Sequence, residues 1–126
     1  MPILTYKHGN SIVFDYTFRG KVAASLEVKP ITRGDILRNR EGVDLISIFT
    51  EEKYRGKGYA IKLMEELIKF CRNNDYYYIL TDDATDAKPP RNIYYKLGFL
   101  VKDDNGKWVK WTTDMSPDEE RLLLIL

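Results

Sequence analysis

A basic, glycine-rich loop is the stretch of this sequence whose residue types are best suited to hold a ligand. Residues 54–58 read Tyr-Arg-Gly-Lys-Gly, and a helix-period pattern of apolar residues follows from about residue 58 to about residue 73. The first N–H groups of a helix have no partner inside it, and the helix dipole adds partial positive charge at the same place. Glycines let a bulky anion approach the backbone, while Arg55 and Lys57 add full positive charge. The pattern therefore predicts an anion site, for which phosphate is the usual ligand.

Two strands are predicted on either side of this loop and helix. Residues 44–50 (DLISIFT) read as a buried central strand before the loop, and residues 76–81 (YYYILT) read as a second buried strand after the helix. A strand, a helix and a parallel strand form a βαβ unit with a right-handed crossover. The loop matches neither of the two common nucleotide-binding patterns, because Gly56 and Gly58 are followed neither by a third glycine nor by Gly-Lys-Ser/Thr.

Two segments of the sequence resemble motifs of the GCN5-related N-acetyltransferases, the GNAT superfamily. Arg55, Gly58 and Ala60 fit the R/Q-x-x-G-x-G/A signature that binds the pyrophosphate of acetyl-CoA in that family. Residues 93–99 (IYYKLGF) are similar to the family's LYEKLGF segment. The two motifs occur in the family's order, and the resemblance covers about residues 45–99.

The resemblance implies both a fold and a cofactor. The fold is α/β (mixed α+β), a GNAT-like acyl-CoA N-acyltransferase domain over residues 1–126, in which a mostly antiparallel mixed sheet has helices on both faces. Acetyl-CoA would enter a gap between the central strand and the next one. The residues implied in coenzyme binding are Ile48, Phe49, Thr50, Arg55, Gly56, Lys57, Gly58, Tyr59, Ala60, Asn92 and Tyr94. No metal is expected, because one His and one Cys cannot form a zinc site.

The resemblance also implies direct attack of a primary amine on the thioester, without a covalent enzyme intermediate. An alkylammonium has a pKa near ~10.4 and must lose a proton before it attacks, and a carboxylate can accept that proton. Asp44 and Glu41 are the candidate general bases, although a solvated charge at a strand end is the commoner role of such residues. Tyr94 stands four residues before Gly98, at the position of the family's tyrosine acid, and its alternative role is packing between helix and sheet.

One departure from the family pattern keeps other functions open. Family members often carry an asparagine seven residues before the tyrosine, whereas this sequence has Ala87 there. Asn92 is either a substitute that contacts the coenzyme or a surface residue, and we favour the surface. A non-catalytic acyl-CoA-binding regulatory module is therefore the alternative to an enzyme. A nucleotide- or phosphate-binding domain with a similar loop is a third hypothesis.

Three aspartates bear on the chemistry of the acceptor. Asp82, Asp83 and Asp86 follow the second buried strand, and ligands of open α/β sheets lie outside the carboxyl ends of the strands. Carboxylates there would attract a cationic amine such as a polyamine, an aminoglycoside or a lysine side chain. Aspartates also cap turns and helices, and the sequence supports that role as well. The choice between a small amine and a protein lysine or N-terminus is left open.

The composition limits the class of protein and its partners. The 126 residues contain 20 Lys and Arg against 19 Asp and Glu, so no charge excess indicates a nucleic acid or a membrane surface as partner. No apolar run approaches the roughly 20 residues of a membrane-spanning helix. The N-terminus lacks the basic and apolar regions of a signal peptide. With Cys71 as its single cysteine, the chain has no internal disulfide, and we expect an intracellular, cytoplasmic protein.

The remaining segments predict further strands and a helix at the C-terminus. Period-2 patterns and turn residues predict strands over residues 3–7, 10–18, 22–29, 99–102 and 107–113, and a short helix over residues 91–97. Ser116, Pro117 and Glu119 fit a capping box, which predicts a terminal helix. Its tail, LLLIL, is apolar on all sides, so part of it would pack against a second subunit in a homodimer, unless the helix closes the edge of the sheet and buries most of the tail there.

Overall fold

The computed structural model describes residues 3–31, 40–82, 91–115 and 121–126. Within these ranges the backbone forms an eight-stranded sheet in the order β1-β2-β3-β4-β5-β8-β6-β7. The strands are β1 (Ile3–His8), β2 (Ser11–Phe18), β3 (Lys21–Ile31), β4 (Gly42–Thr50), β5 (Tyr78–Asp82), β6 (Leu100–Lys102), β7 (Trp108–Lys110) and β8 (Arg121–Ile125). All described pairings are antiparallel except that of β4 with β5, which is parallel. This mostly antiparallel mixed sheet with its helices confirms the predicted fold class.

Helix α1 (Tyr59–Asn73) connects the two parallel strands, as the sequence predicts. A 3₁₀ turn (Glu52–Tyr54) precedes it, and a short helix α2 (Ile93–Lys96) precedes β6. One side of α1 is wholly buried through Leu63, Met64, Leu67 and Cys71. Burying one leucine or methionine side chain stabilises a fold by about 1.5–3 kcal/mol, so packing on the sheet accounts for much of the stability of this helix. Burial also raises the pKa of the Cys71 thiol to about 12, which keeps it protonated and unreactive.

The sheet is packed on both faces in its central part. The larger cluster joins α1 and α2 to side chains of β2, β3, β4, β5 and β8. The smaller cluster consists of Tyr78, Leu80 and Leu123, with Ile31 and Trp108 packed against it. Both α-helices in the described ranges contact the larger cluster, so the expectation of helices on both faces has no counterpart within these ranges.

The C-terminal segment corrects the prediction of a terminal helix. Residues Arg121–Ile125 form β8, which pairs antiparallel with β5 and β6. Leu122 and Leu123 are wholly buried, one in each cluster, and Ile125 is exposed. An apolar run without alternation is typical of a strand buried on both faces, which accounts for these leucines without a second subunit. The capping residues Ser116, Pro117 and Glu119 lie outside the described residues, and the homodimer stays a prediction.

The other predicted strands are confirmed with small changes at their ends, except that the strand predicted over residues 107–113 is only three residues long, as β7 (Trp108–Lys110). The hairpin of β2 and β3 and the first strand β1 lie where the period-2 pattern predicts them. The turn between β6 and β7 is closed by Asp103, whose carboxylate accepts hydrogen bonds from the N–H groups of Asn105 and Lys107, each at 2.9 Å. In the described part of the chain, no helix is both long and apolar enough to cross a bilayer.

Close packing at the start of β4 draws the two parallel strands together. A Cβ atom added at Gly42 would lie 2.5 Å from ring atoms Cε2 and Cζ of Tyr78. The Tyr78 ring is wholly buried in the smaller cluster. Glycine at this position therefore permits the approach of β4 to β5 at the end where they pair.

We predict that Gly42→Ala lowers the free energy of unfolding by about 1–3 kcal/mol, because the added methyl group overlaps the Tyr78 ring in a packed core. Chemical denaturation of the parent and the variant measures the loss. The double variant Gly42→Ala/Tyr78→Leu is the control, since its loss should be smaller than the sum of the two single losses. Strictly additive losses, or a Gly42→Ala protein as stable as the parent, would contradict this interpretation.

Candidate functional site

The parallel strands β4 and β5 pair over only three residues and then separate. Residues 43–45 of β4 pair with residues 79–81 of β5, and the Thr81 hydroxyl donates a 3.4 Å hydrogen bond to the Leu45 carbonyl oxygen at the last paired position. Beyond Leu45, β4 continues to Thr50 and stays paired with β3 on its other side. Among the described residues, the β5 side of residues 46–50 is therefore an open strand edge. Its backbone groups that do not bond β3 are available to a ligand, apart from the Thr50 carbonyl oxygen, which accepts a hydrogen bond from Arg55.

A β-bulge in β4 lies at the point of separation. Residues Glu27 and Val28 of β3 pair with Ser47 and Leu45, so Ile46 is an extra residue in β4. A bulge bends its strand and increases the local twist, which turns the end of β4 away from β5. Ile46 is 52% exposed, although the sequence predicts an uninterrupted buried strand there. Nothing in the apolar run of β4 indicates the bulge, so sequence reasoning missed it.

A groove of about 480 Å³ lies between the end of β4, the glycine-rich loop and α2. Of the residues that the sequence implies in coenzyme binding, it brings together Ile48, Phe49, Thr50, Arg55, Gly56, Gly58, Tyr59 and Ala60. Lys57, Asn92 and Tyr94 do not line it. The groove also contains residues that sequence reasoning missed, namely Tyr54, Ile61, Arg91, Ile93 and Lys96. The basic side chains on both sides of the IYY segment are the signal that could have identified Arg91 and Lys96.

The loop presents backbone N–H groups and positive charge to this groove. Gly56 and Gly58 have φ angles of +80° and +79°, and a Cβ atom added at either would meet no other group within 4 Å. Gly58 is the N-cap of α1, where no side chain accepts a hydrogen bond from the first turn and no acidic residue lies in that turn. The Arg55 Nε donates a 3.1 Å hydrogen bond to the Thr50 carbonyl oxygen, which holds this side chain beside the end of β4. The arrangement leaves room and donors for an anionic group.

Aromatic packing attaches the loop to the hairpin of β2 and β3. The rings of Tyr16 and Tyr59 are stacked with centroids 4.3 Å apart, and the Phe18 ring meets the Tyr54 ring edge-on at 5.7 Å. The ammonium group of Lys57 lies 5.9 Å from the Tyr54 ring centroid, on the aromatic ring rather than in the groove. Such contacts contribute about 0.5–1.5 kcal/mol each beyond burial, so the position of the loop depends on β2.

Helix α2 is held by Asn92 and carries Tyr94 in the core. The Asn92 Oδ1 accepts hydrogen bonds from the N–H groups of Tyr94 at 2.8 Å and Tyr95 at 3.2 Å. Asn92 is wholly buried, so the surface interpretation of this residue is wrong, and a contact with the coenzyme stays a prediction. Its polar side chain is buried because it caps the helix. Tyr94 is 3% exposed, and its ring meets the Phe99 ring edge-on with centroids 5.3 Å apart. This is the packing role that the sequence analysis gives as the alternative to catalysis.

Asp44 lies beside the point where the strands separate, on the face of the smaller cluster. It pairs with Leu80, one residue before the last paired position of β4. Partial burial raises the pKa of the Asp44 carboxyl; the Arg121 guanidinium opposes this effect, and the Asp82 carboxylate adds to it. Asp82 and Arg121 form a 3.3 Å ion pair between half-exposed side chains. A carboxyl group with a raised pKa is a better proton acceptor than an ordinary one, once it is ionised.

The other acidic candidates are less close to the site. Glu41 is exposed, and its described hydrogen bond is through the backbone, where its carbonyl oxygen accepts the Tyr77 N–H at 2.7 Å. Asp83 and Asp86 lie outside the described residues. Asp82 is at the end of β5, as predicted, but its ion pair with Arg121 offsets part of its attraction for a cation.

Comparisons with known proteins agree with this geometry. An IAA acetyltransferase from Bacillus cereus superposes with a TM-score of 0.67 at 16% identity, covering 93% of this chain and 79% of that one. An aminoglycoside acetyltransferase from an uncultured soil metagenomic sample superposes with a TM-score of 0.62 at 18% identity, covering 87% and 69%. A chain of the KacTA–DNA complex superposes with a TM-score of 0.65 at 12% identity, covering 94% of this chain and 70% of that one. At these identities, the structures show a common fold and no more.

The sequence profile of a known family supplies the assignment. No curated protein sequence matches the chain. The profile described as "Acetyltransferase (GNAT) family" matches residues 3–99, which is well over half of the chain. The matched part includes β1 to β5, the glycine-rich loop, α1 and α2. This chain belongs to the acetyltransferase (GNAT) family.

Proposed function

We propose that this protein transfers an acetyl group from acetyl-CoA to a primary amine by direct attack. The observation that carries the proposal is the open edge of β4, which ends in a cationic, glycine-rich loop and lines a groove with it. When bound, acetyl-CoA supplies a thioester whose carbonyl carbon accepts the amine. In the reaction a C–N bond forms and the C–S bond breaks. The ammonium nitrogen loses two protons, one to the base before attack and one on the way to the amide, while the departing sulfur takes up one, so that one proton is released to solvent.

The residues present fit coenzyme A by charge and by space. Its pyrophosphate would lie over Gly56 and Gly58, where a Cβ atom would otherwise occupy the open space. Arg55, from the loop, and Arg91 and Lys96, from the opposite side of the groove, offer positive charge to its phosphates. Its two amides match the unpaired amide groups of residues 46–50. The cationic rim accounts for one end of the ligand and the open strand edge for the other.

Asp44 is the residue that we propose as the general base. It lies at the separation of the strands, where the thioester would lie if the pantetheine arm pairs with residues 46–50. Its carboxyl group is partly buried and its pKa is raised, so it can accept a proton from an amine directly or through one water molecule. The exposed Glu41 lies three residues earlier and has no such environment in the described structure, which favours Asp44 of the two candidates.

Tyr94 is the residue that we propose as the acid for the departing sulfur. Its neighbours on α2, Ile93 and Lys96, line the groove, which places the tyrosine within one turn of it. The burial of Tyr94 favours a second candidate function, a regulatory module that binds acyl-CoA without turnover, because a side chain that is 3% exposed and does not line the groove is poorly placed to protonate a ligand there. An intracellular location and the lack of a nucleic-acid partner stay predictions from composition.

Binding of acetyl-CoA should stabilise the protein by ~2.7 kcal/mol at about 100 times the dissociation constant, because the ligand binds only the folded state. Thermal unfolding with acetyl-CoA, coenzyme A and ATP measures this effect. Gly58→Glu should abolish the stabilisation, because it adds a carboxylate to the phosphate site. Gly106→Glu is the matched control, since Gly106 has a φ of +77° and open space around it but lies in the β6–β7 turn. No stabilisation at millimolar acetyl-CoA, or an equal loss in both variants, would contradict the assigned site.

The acidic limb of the pH dependence of kcat/KM should report the ionisation of Asp44, which must lose its proton before it can act as a base. Arg121→Gln should move this limb to higher pH, because the Arg121 charge lowers the pKa of Asp44. Asp82→Asn should move it to lower pH, because the Asp82 charge raises that pKa. Both displacements should shrink at high salt, since Asp82 and Arg121 are half-exposed. If the acidic limb of both variants lies at the same pH as that of the parent enzyme, Asp44 is not the base.

Tyr94→Phe should lower kcat by roughly 100-fold or more, which is the usual contribution of a general acid, and leave acetyl-CoA affinity unchanged. The phenylalanine keeps the ring contact with Phe99 and removes only the hydroxyl group. Tyr95→Phe is the control, because Tyr95 lies on the same helix but meets Trp111 instead, with centroids 5.8 Å apart. Steady-state rates and calorimetric affinities measure the effects. A kcat equal to that of Tyr95→Phe would exclude the acid role, and a parent protein that binds acetyl-CoA but acetylates no amine would favour the regulatory module.

A further inference from the structure

The face of the sheet opposite α1 carries two rows of side chains that cross from β1 to β4. Directly paired residues of neighbouring strands point to the same face. The first row is Leu4, Asp15, Ser25 and Phe49, and the second row is Tyr6, Val13, Glu27 and Ser47. Phe14 and Tyr16, which alternate with these residues in β2, contact α1 instead. The two rows therefore form a surface on the other side of the sheet, called the row surface below.

Large apolar side chains are exposed at both ends of the row surface. Leu4 is 59% exposed and Tyr6 is 41% exposed at the β1 end, and Phe49 is 52% exposed at the β4 end. Val13 and Asp15 between them are 7% and 8% exposed, so the middle of the surface is closed and well packed. A single molecule would cover the exposed apolar side chains at both ends only if it spans the packed middle of the surface.

The middle of the row surface is negatively charged. The Asp15 carboxylate accepts hydrogen bonds from the Tyr6 hydroxyl at 2.9 Å and from the Ser25 hydroxyl at 2.6 Å. The hydrogen bond to Asp15 raises the pKa of the Tyr6 phenol, and partial desolvation and the charges of Asp15 and Glu27 add to this effect. Neither carboxylate forms an ion pair with a described residue, although Lys29 follows Glu27 on the same face of β3. The Asp15 carboxylate is buried and satisfied by its two hydrogen bonds, whereas the partly buried Glu27 carboxylate is accessible and complementary to a basic side chain.

The row surface meets the proposed reaction site at β4. The first row ends at Phe49, which lines the groove, and the second row ends at Ser47, next to the bulge where β4 and β5 separate. Neighbouring strands lie about 4.8 Å apart, so the rows extend roughly 14 Å from β4 to β1. A molecule that lies along them can deliver an amine to the gap from the face opposite to α1.

We propose that the row surface binds a basic polypeptide segment and that the acceptor is a lysine side chain of that segment. The inference rests on the proposed function and names its acceptor class. Basic side chains of the segment would pair with Glu27, which is only partly buried, and its apolar side chains would cover Leu4 and Phe49. A polyamine supplies the charges but no side chains to cover the exposed apolar residues. The chemistry is that given above, with lysine Nζ as the nitrogen that forms the new C–N bond.

The test compares a short peptide containing lysine between arginine and leucine residues with the same peptide carrying glutamate for arginine, and with spermidine. Release of the coenzyme thiol by the full chain measures turnover, and Cys71 does not interfere because it is buried and its pKa is about 12. Glu27→Gln and Leu4→Ser should each raise KM for the basic peptide, by about tenfold for Glu27→Gln, which corresponds to one charge pair. The value of kcat should not change in either variant. Leu4→Ser should also leave the turnover of spermidine unchanged, because spermidine has no side chains that cover Leu4. Glu65→Gln, on the exposed side of α1, is the matched control and should leave every value unchanged.

The outcomes separate this inference from the proposed function. Turnover of spermidine without turnover of the basic peptide, or a peptide KM that Glu27→Gln does not change, would overturn the inference and leave the acetyltransferase intact. If the protein binds acetyl-CoA but acetylates no amine, the proposed function fails. Fluorescence anisotropy of the labelled basic peptide with the coenzyme-loaded protein then tests whether the row surface binds the peptide. Binding that Glu27→Gln weakens would support it, whereas absent or unaffected binding would overturn it.

Discussion

The separation of β4 from β5 is the constraint on which the rest of the structure depends. Three paired residues hold the strands together, and the Gly42–Tyr78 contact keeps them close at that end. The bulge at Ile46 then directs β4 away while β3 keeps it in the sheet. A strand edge with unpaired amide groups is a liability in most proteins, because it invites pairing with other chains. Here the same edge borders a groove. We interpret the unpaired edge as a requirement for binding an extended ligand along β4.

The glycine-rich loop shows how local and tertiary effects combine at one site. Its glycines, its cations and the start of α1 create affinity for an anion through local geometry alone. Its position over the groove depends on distant residues, because Tyr16 of β2 stacks on Tyr59 and Phe18 meets Tyr54. Asn92 has the same kind of role for α2, where it caps the helix that carries Tyr94, Ile93 and Lys96. The loop is therefore positioned by aromatic packing against β2, and α2 is positioned by the buried hydrogen bonds of Asn92.

The two faces of the sheet have different chemistry, and this difference organises the proposed reaction. The cations of the groove lie around the loop and α2, whereas Asp44, Asp82 and Glu27 lie on the face opposite α1, together with Lys29 and the ion-paired Arg121. An anionic coenzyme and a cationic acceptor would thus approach from opposite sides and meet where β4 and β5 separate.

Local patterns in the sequence determined the loop, α1, the β2–β3 hairpin and the resemblance to the acetyltransferases, because each depends on residues near one another in the chain. Most of the groove was predictable for the same reason. The tertiary structure decided what depends on partners far apart in sequence. The segment LLLIL satisfies a helix and a buried strand equally well by apolar content, and only the vacant place between β5 and β6 makes it β8. Likewise, Asn92 is buried and Ile46 is bulged because of their neighbours in the fold, and no spacing in the sequence carries that information.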